Sequence, residues 1–97
     1  DAVIAWRIML LALLGSEVPE LRSDILFDRI ESEVLGLLAQ KKLSLGEAMI
    51  VIAQQGGYLN RKCDGPPGFE SLWRGYARFH DMVRIVRLRN AAESRRR

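Results

Sequence analysis

The chain has 97 residues, 48% of them hydrophobic and 28% charged, with a net charge of +3 and one cysteine. That describes one small globular domain, too apolar to stay disordered and too weakly basic for a histone-like binder. The lone thiol excludes an intramolecular disulfide, and no apolar run reaches the ~20 residues a membrane-spanning helix needs.

Residues 2–14 read as a helix that is apolar nearly all round, the pattern of a helix covered on most sides. Arg7 interrupts the run, and the basic start of a signal peptide is missing. So short a chain has few partners to cover such a helix. The expectation is therefore a piece of a longer protein, with residues 1–15 ending a preceding domain and 16–97 forming a domain of their own. Gly15 is the expected helix stop, with Pro19 just beyond it. Residues 16–27 form a connector in which Leu21, Ile25, Leu26 and Phe27 suit either a helical turn or an extended strip.

Asp28 and Glu31 are spaced as a capping box, which opens a helix over about 28–41. Ile30, Val34, Leu37 and Leu38 recur at helical spacing with Leu35 beside them, and Lys41 and Lys42 fall at the negative end of the helix dipole. Ser44 and Glu47 repeat the box and open a helix over 45–55. Its apolar face is Leu45, Ala48, Met49, Ile52 and Ala53, widened by Ile50 and Val51. Gly56-Gly57 ends it.

The segment 56–68 holds four of the eight glycines and two of the three prolines. From Phe69 the helical period returns: Phe69, Leu72, Trp73, Tyr76, Phe79, Val83 and Val86 mark a helix over 69–91, with 92–97 frayed. The fold class is all-α, four main helices with the long last helix as its spine. Met82, Ile85 and Leu88 form a second, narrower apolar strip on that helix. Two such helices paired about a two-fold axis would cover it; so would helix 2–14 folding back.

Positive charge gathers in the last third. From Arg61 to Arg97 there are ten Lys and Arg against four Asp and Glu. This suits an anionic partner or a solvated arginine face. Arg61 and Lys62 project from a glycine-flanked turn. The next helix starts with unpaired backbone N–H groups near Gly68, Phe69 and Glu70. Cations beside a helix N-terminus suit a phosphate of a nucleic-acid backbone; the alternative is an ordinary solvated connector. No Gly-Lys-Ser/Thr occurs, so this is not a nucleotide-binding P-loop.

Catalytic chemistry is poorly represented. His80 is the only histidine and has no local triad partners. Cys63 lies beside two cations, which favours its thiolate, yet a passive loop thiol is the better reading. Asp64 and Glu70 are isolated acids; Glu70 suits the positive end of the helix dipole. No metal-ligand spacing occurs, so no catalytic residue, metal or cofactor is assigned to this chain.

The run Ile52–Tyr76 contains Gly56-Gly57-Tyr58, Arg61-Lys62-Cys63-Asp64-Gly65-Pro66-Pro67-Gly68-Phe69 and Leu72-Trp73-Arg74-Gly75. It resembles the C-terminal domain of the insertion-sequence-four family of cut-and-paste DDE transposases, which includes the transposase of transposon five. The preceding Leu45-x-Glu47-Ala48 also fits, and the likeness extends more weakly over 2–44 and 77–90. Relatives of this kind move DNA in bacteria with a carboxylate triad and a divalent metal such as Mg, on a ribonuclease-H-like domain. The resemblance implies that this domain lies upstream, that residues 2–14 are its final helix, and that no triad member falls in this chain. It implies a cytoplasmic homodimer joined through the last helix, with Met82, Ile85, Leu88 and Arg89 at the interface. It also implies contact of Arg61, Lys62 and Gly68 with the transposon-end backbone, and Trp73 and Tyr76 as core anchors. Cys63 has no role in the pattern. Arg84, Arg87 and Arg89 load the pairing strip with like charge. The competing reading is a helical interaction module with no DNA role.

Overall fold

A computed structural model of the protein describes residues 2–61 and 65–96. Four α-helices make the fold: α1 (Ala2–Glu17), α2 (Arg29–Ala39), α3 (Leu45–Gln55) and α4 (Phe69–Arg96), with a 3-10 turn at Ser23–Ile25 between α1 and α2. No strand occurs among the described residues; the one extended pairing is an isolated bridge between Arg22 and Ser44. The all-α expectation with a long last helix holds.

Helix α1 passes straight through Gly15 and ends three residues later than expected. Gly15 is buried against Met49, and a Cβ there would come within 2.8 Å of the Met49 sulfur. The glycine thus admits α3 rather than stopping α1, and Pro19, which cannot continue a helix, marks the end. Ile8 and Leu11 are fully buried against the other helices, while Val3, Trp6, Met9 and Leu13 lie exposed on the outer face.

The connector combines both of its expected forms. It is extended at Arg22, where Leu21 and Pro19 carbonyls accept the first amides of α3, Leu45 N–H at 2.6 Å and Gly46 N–H at 2.9 Å. It then makes its 3-10 turn and delivers Phe27 into the core.

Both capping boxes form. Asp28 Oδ1 accepts the Glu31 N–H at 2.9 Å, and Glu31 Oε1 accepts the Asp28 N–H at 3.0 Å. Ser44 Oγ accepts the Glu47 N–H at 3.3 Å, and Glu47 Oε1 accepts the Ser44 N–H at 3.0 Å. Helix α2 stops at Gln40, which turns left-handed at φ 60°. Its inner face is Glu31, Val34 and Leu35; Leu37, 68% exposed, and Leu38 do not join the core. Leu37 is six residues from Glu31 and so points the other way.

Lys41 does not act chiefly on a helix end. Its ammonium donates to Glu47 Oε2 at 2.6 Å. That bond, then the Ser44 N–H, holds the Glu47 carboxyl at about 2 against an ordinary 4.5. A depressed carboxyl adds stability above its ordinary range and loses it as pH falls from about 4.5 toward 2. A carbon-13 titration should place the Glu47 midpoint near 2. A midpoint in the usual carboxylate range would contradict this pairing.

The core face of α3 is as expected: Leu45, Ala48, Met49, Ile52 and Ala53 are buried. It packs against Leu72, Tyr76, Phe79 and Val83 of α4, with Phe27 edge-on to Phe79 at 5.8 Å. Two glycines set this crossing. A Cβ on Gly75 would lie 1.7 Å from the Ile52 carbonyl oxygen, and one on Gly56 would lie 2.1 Å from the Ser71 carbonyl oxygen. The backbones of α3 and α4 therefore touch. Trp73 is not a core anchor: it is 40% exposed, one position off the buried line, and its ring lies 6.0 Å from that of the exposed Phe69. Tyr76 is the anchor.

Helix α4 does not fray at 92; it stays helical to Arg96. Ala91, Ala92, Glu93, Arg95 and Arg96 are good helix formers, and the last two arginines favour the negative end of the dipole. Its 28 residues give about 42 Å of rod. The protein accordingly measures 50 Å along its long axis and 27 and 21 Å across.

Candidate functional site

Two surfaces are expected to carry function, and they lie toward opposite ends of α4. The first is the loop before it. Gly57 adopts φ +100°, which glycine takes without steric cost, while Gly56 at φ −97° is glycine for the close crossing alone. The amides of Gly57 and Tyr58 then close the end of α3 on the Gln54 and Ala53 carbonyls, both at 3.1 Å. Asn60 turns left-handed at φ 55°. The Tyr58 hydroxyl donates to the Gly65 carbonyl at 2.7 Å and so ties the two sides of the loop together. Arg61 and Gly68 are exposed. Lys62, Cys63 and Asp64 lie outside the described residues.

Gly65 and Gly68 differ from the crossing glycines. Neither has a left-handed φ, and a Cβ on either would meet nothing within 4 Å among the described residues. No contact among the described residues demands glycine at either position. Glu70, in the first turn of α4, pairs with Arg74 at 2.6 Å besides facing the positive end of the dipole.

The second surface is the distal half of α4. Met82 is partly buried against the core, while Ile85 is 66% and Leu88 57% exposed. Arg89 is exposed as well. Helix α1 packs against α4 but leaves Ile85 and Leu88 open, so folding back does not cover the strip. Arg87 is not a free charge beside it, because its guanidinium is bound to Asp28 Oδ2. Burial alone would raise the Asp28 carboxyl; the Glu31 N–H and the Arg87 guanidinium outweigh it and hold it below its ordinary value.

One ionic cluster was not anticipated. Arg7 of α1 forks onto Glu31 of α2, Nη1 to Oε2 at 2.8 Å and Nη2 to Oε1 at 2.9 Å, and also donates to the Leu26 carbonyl at 2.8 Å. Its guanidinium lies 5.7 Å from the ring centres of both Phe27 and Tyr76. Glu31 is 5% exposed, and Arg7 and the Asp28 amide together engage both of its carboxylate oxygens. The bond to Glu31 raises the Arg7 pKa despite the opposing effect of burial. Over the ring rather than bonded to it, Arg7 leaves the Tyr76 hydroxyl without a hydrogen-bond partner among the described residues, and burial pushes that phenol up. The one sequence signal for this cluster was Arg7 itself, a charge in an otherwise apolar helix.

A recess of about 630 Å³ lies between the 3-10 turn and α2, away from the loop and from α4. Of the charged residues that line it, Arg22 pairs with Asp24, and Lys41 with Glu47. No group of three or more potential metal ligands occurs among the described residues. No described helix is long and apolar enough to cross a membrane.

The structure is thus an all-α body with a projecting rod, and that rod carries exposed Ile85 and Leu88. The sequence matches the family model described as the Transposase Tn5 dimerisation domain over residues 3–94, and the chain belongs to that family. No curated protein and no solved structure matches it. It is thus a transposase dimerisation domain.

Proposed function

We propose that the chain joins two transposase subunits through the distal half of α4 and braces the transposon end with the loop before α4. In the first role, Met82, Ile85, Leu88 and Arg89 of one copy meet the same residues of a second across a two-fold axis. The observation that carries it is the exposure of Ile85 and Leu88 on a helix whose other apolar face is already buried. Arginine stems flanking the strip can cover apolar surface while their charged ends stay in water.

In the second role, Arg61 and Lys62 hold phosphates of the DNA backbone, and the bare backbone at Gly68 lets the strand approach the start of α4. Support comes from the exposure of Arg61 and from two loop glycines that no contact among the described residues requires. Each phosphate contact adds about 0.9 to the magnitude of the salt slope of binding, so two cations assist a larger DNA-binding surface rather than replace it. The cutting chemistry, with its divalent metal, belongs in this reading to a domain upstream. The exposed face of α1, with Trp6 and Met9, then rests against that domain.

The double substitution Arg61→Ala with Lys62→Ala in the intact transposase is expected to lower the salt slope of transposon-end binding by about 2. An unchanged slope would remove the DNA role and leave a module for protein pairing alone.

A further inference from the structure

A small recess of about 210 Å³ lies where α1, α2 and α4 meet, lined by Arg7, Glu31, His80, Val83, Arg84 and Arg87. His80, Arg84 and Arg87 are spaced i, i+4 and i+7, which aligns them on one face of α4. One acid, Glu31, lines the recess and a second, Asp28, binds its Arg87; both are already engaged. Glu31 uses its two oxygens on Arg7 and the Asp28 amide. Asp28 uses its two on Arg87 and the Glu31 amide. Arg7 and Arg87 are thereby neutralised as charges. Arg87 still has N–H donors to spare, because a guanidinium carries five.

Arg84 and His80 remain. Neither makes a hydrogen bond or an ion pair within the described residues. The exposed His80 ring lies against Tyr76, with centroids 6.5 Å apart and planes at 29°. The recess therefore offers one guanidinium without an ion-pair partner, an imidazole and spare Arg87 donors, and the one acid that lines it, Glu31, is already engaged.

We infer that this recess binds one phosphate group of a DNA strand, through Arg84 and His80 with Arg87 at its edge. The inference rests on the reading that the domain meets DNA, and it adds a contact separate from the loop. A single net positive charge is weak holding for a free phosphate dianion. It suffices for one phosphodiester in a polyanion whose other contacts lie elsewhere, since affinity for DNA accumulates phosphate by phosphate. Arg84 adjoins Ile85, so the strand would run along the flank of the pairing strip.

The test uses the 97-residue chain, a short DNA duplex and inorganic phosphate. Nitrogen-15 spectra follow the Arg84 Nε–H and the His80 ring, and binding to the duplex is measured over a range of salt for the parent, Arg84→Gln, His80→Gln and Arg61→Ala. The duplex is expected to shift the Arg84 and His80 signals, and Arg84→Gln to reduce the salt slope by about 0.9 with the amide spectrum intact. Unmoved signals and an unchanged slope overturn the inference. Signals that move with inorganic phosphate but not with the duplex overturn the assignment to DNA. If Arg61→Ala lowers the slope and Arg84→Gln does not, the recess fails while the loop reading stands; the reverse result condemns the loop alone.

Discussion

Gly75→Ala is expected to destabilise the domain by at least ~3 kcal/mol and to lower its Tm by more than ~12 °C, or to prevent folding. The added methyl would sit 1.7 Å from the Ile52 carbonyl oxygen and 2.7 Å from its carbon. Both are backbone atoms, so no rotamer change relieves the clash; α3 and α4 must separate, opening the contact between Ile52, Ala53, Leu72 and Tyr76. Domains of this kind hold only about 5–15 kcal/mol in total, so the loss is a large share. Gly36→Ala is the matched control. Its Cβ would meet only the Lys41 carbonyl, at an ordinary 3.8 Å, inside a helix where alanine is favoured. It should stabilise by up to ~1 kcal/mol. Urea unfolding of the three proteins checks both signs. A Gly75→Ala protein as stable as the parent would mean that the two backbones do not touch.

Ile85→Glu is expected to weaken self-association about 100-fold without changing the fold. Ile85 is 66% exposed in the single chain, so its replacement removes little from the monomer core. In an isologous pair each substitution acts twice, and burying an isoleucine is worth about 1.5–3 kcal/mol per copy. The loss is then at least ~3 kcal/mol, a factor of about 100 in Kd. Sedimentation equilibrium measures it directly. A variant that pairs as tightly as the parent would move the interface off this strip.

What the sequence reveals and what it hides divide along the range of the interaction. The two capping boxes are local, four residues each, and both form where the spacing puts them. The buried line Leu72, Tyr76, Phe79 and Val83 is likewise visible as a period. Gly75 is visible only as one element of a motif; its reason lies in Ile52, 23 positions earlier, and no local pattern expresses that contact. Glu31 shows the same limit. Its capping role is legible from Asp28, but its bond to Arg7 joins segments 24 residues apart. Trp73 and Leu37 misled for a third reason: apolar character marks a residue able to be buried, and only the packing decides which side of the helix is covered. The exposure of Ile85 and Leu88 was readable because the core claims the other face of α4, while Met82, read as part of the same strip, packs partly against that core. The recess at Arg84 was not, because three helices build it.

Self-pairing through α4 is tested most directly by cross-linking. In a Cys63→Ser background, single cysteines are placed along 82–92 of α4 and at the exposed α1 positions Val3, Met9 and Leu13. A disulfide needs Cα atoms about 4.4–6.8 Å apart, so only residues near the two-fold axis join two copies. Covalent dimers should peak within Met82, Ile85, Leu88 and Arg89. Dimers formed through α1, with none through α4, would contradict the account.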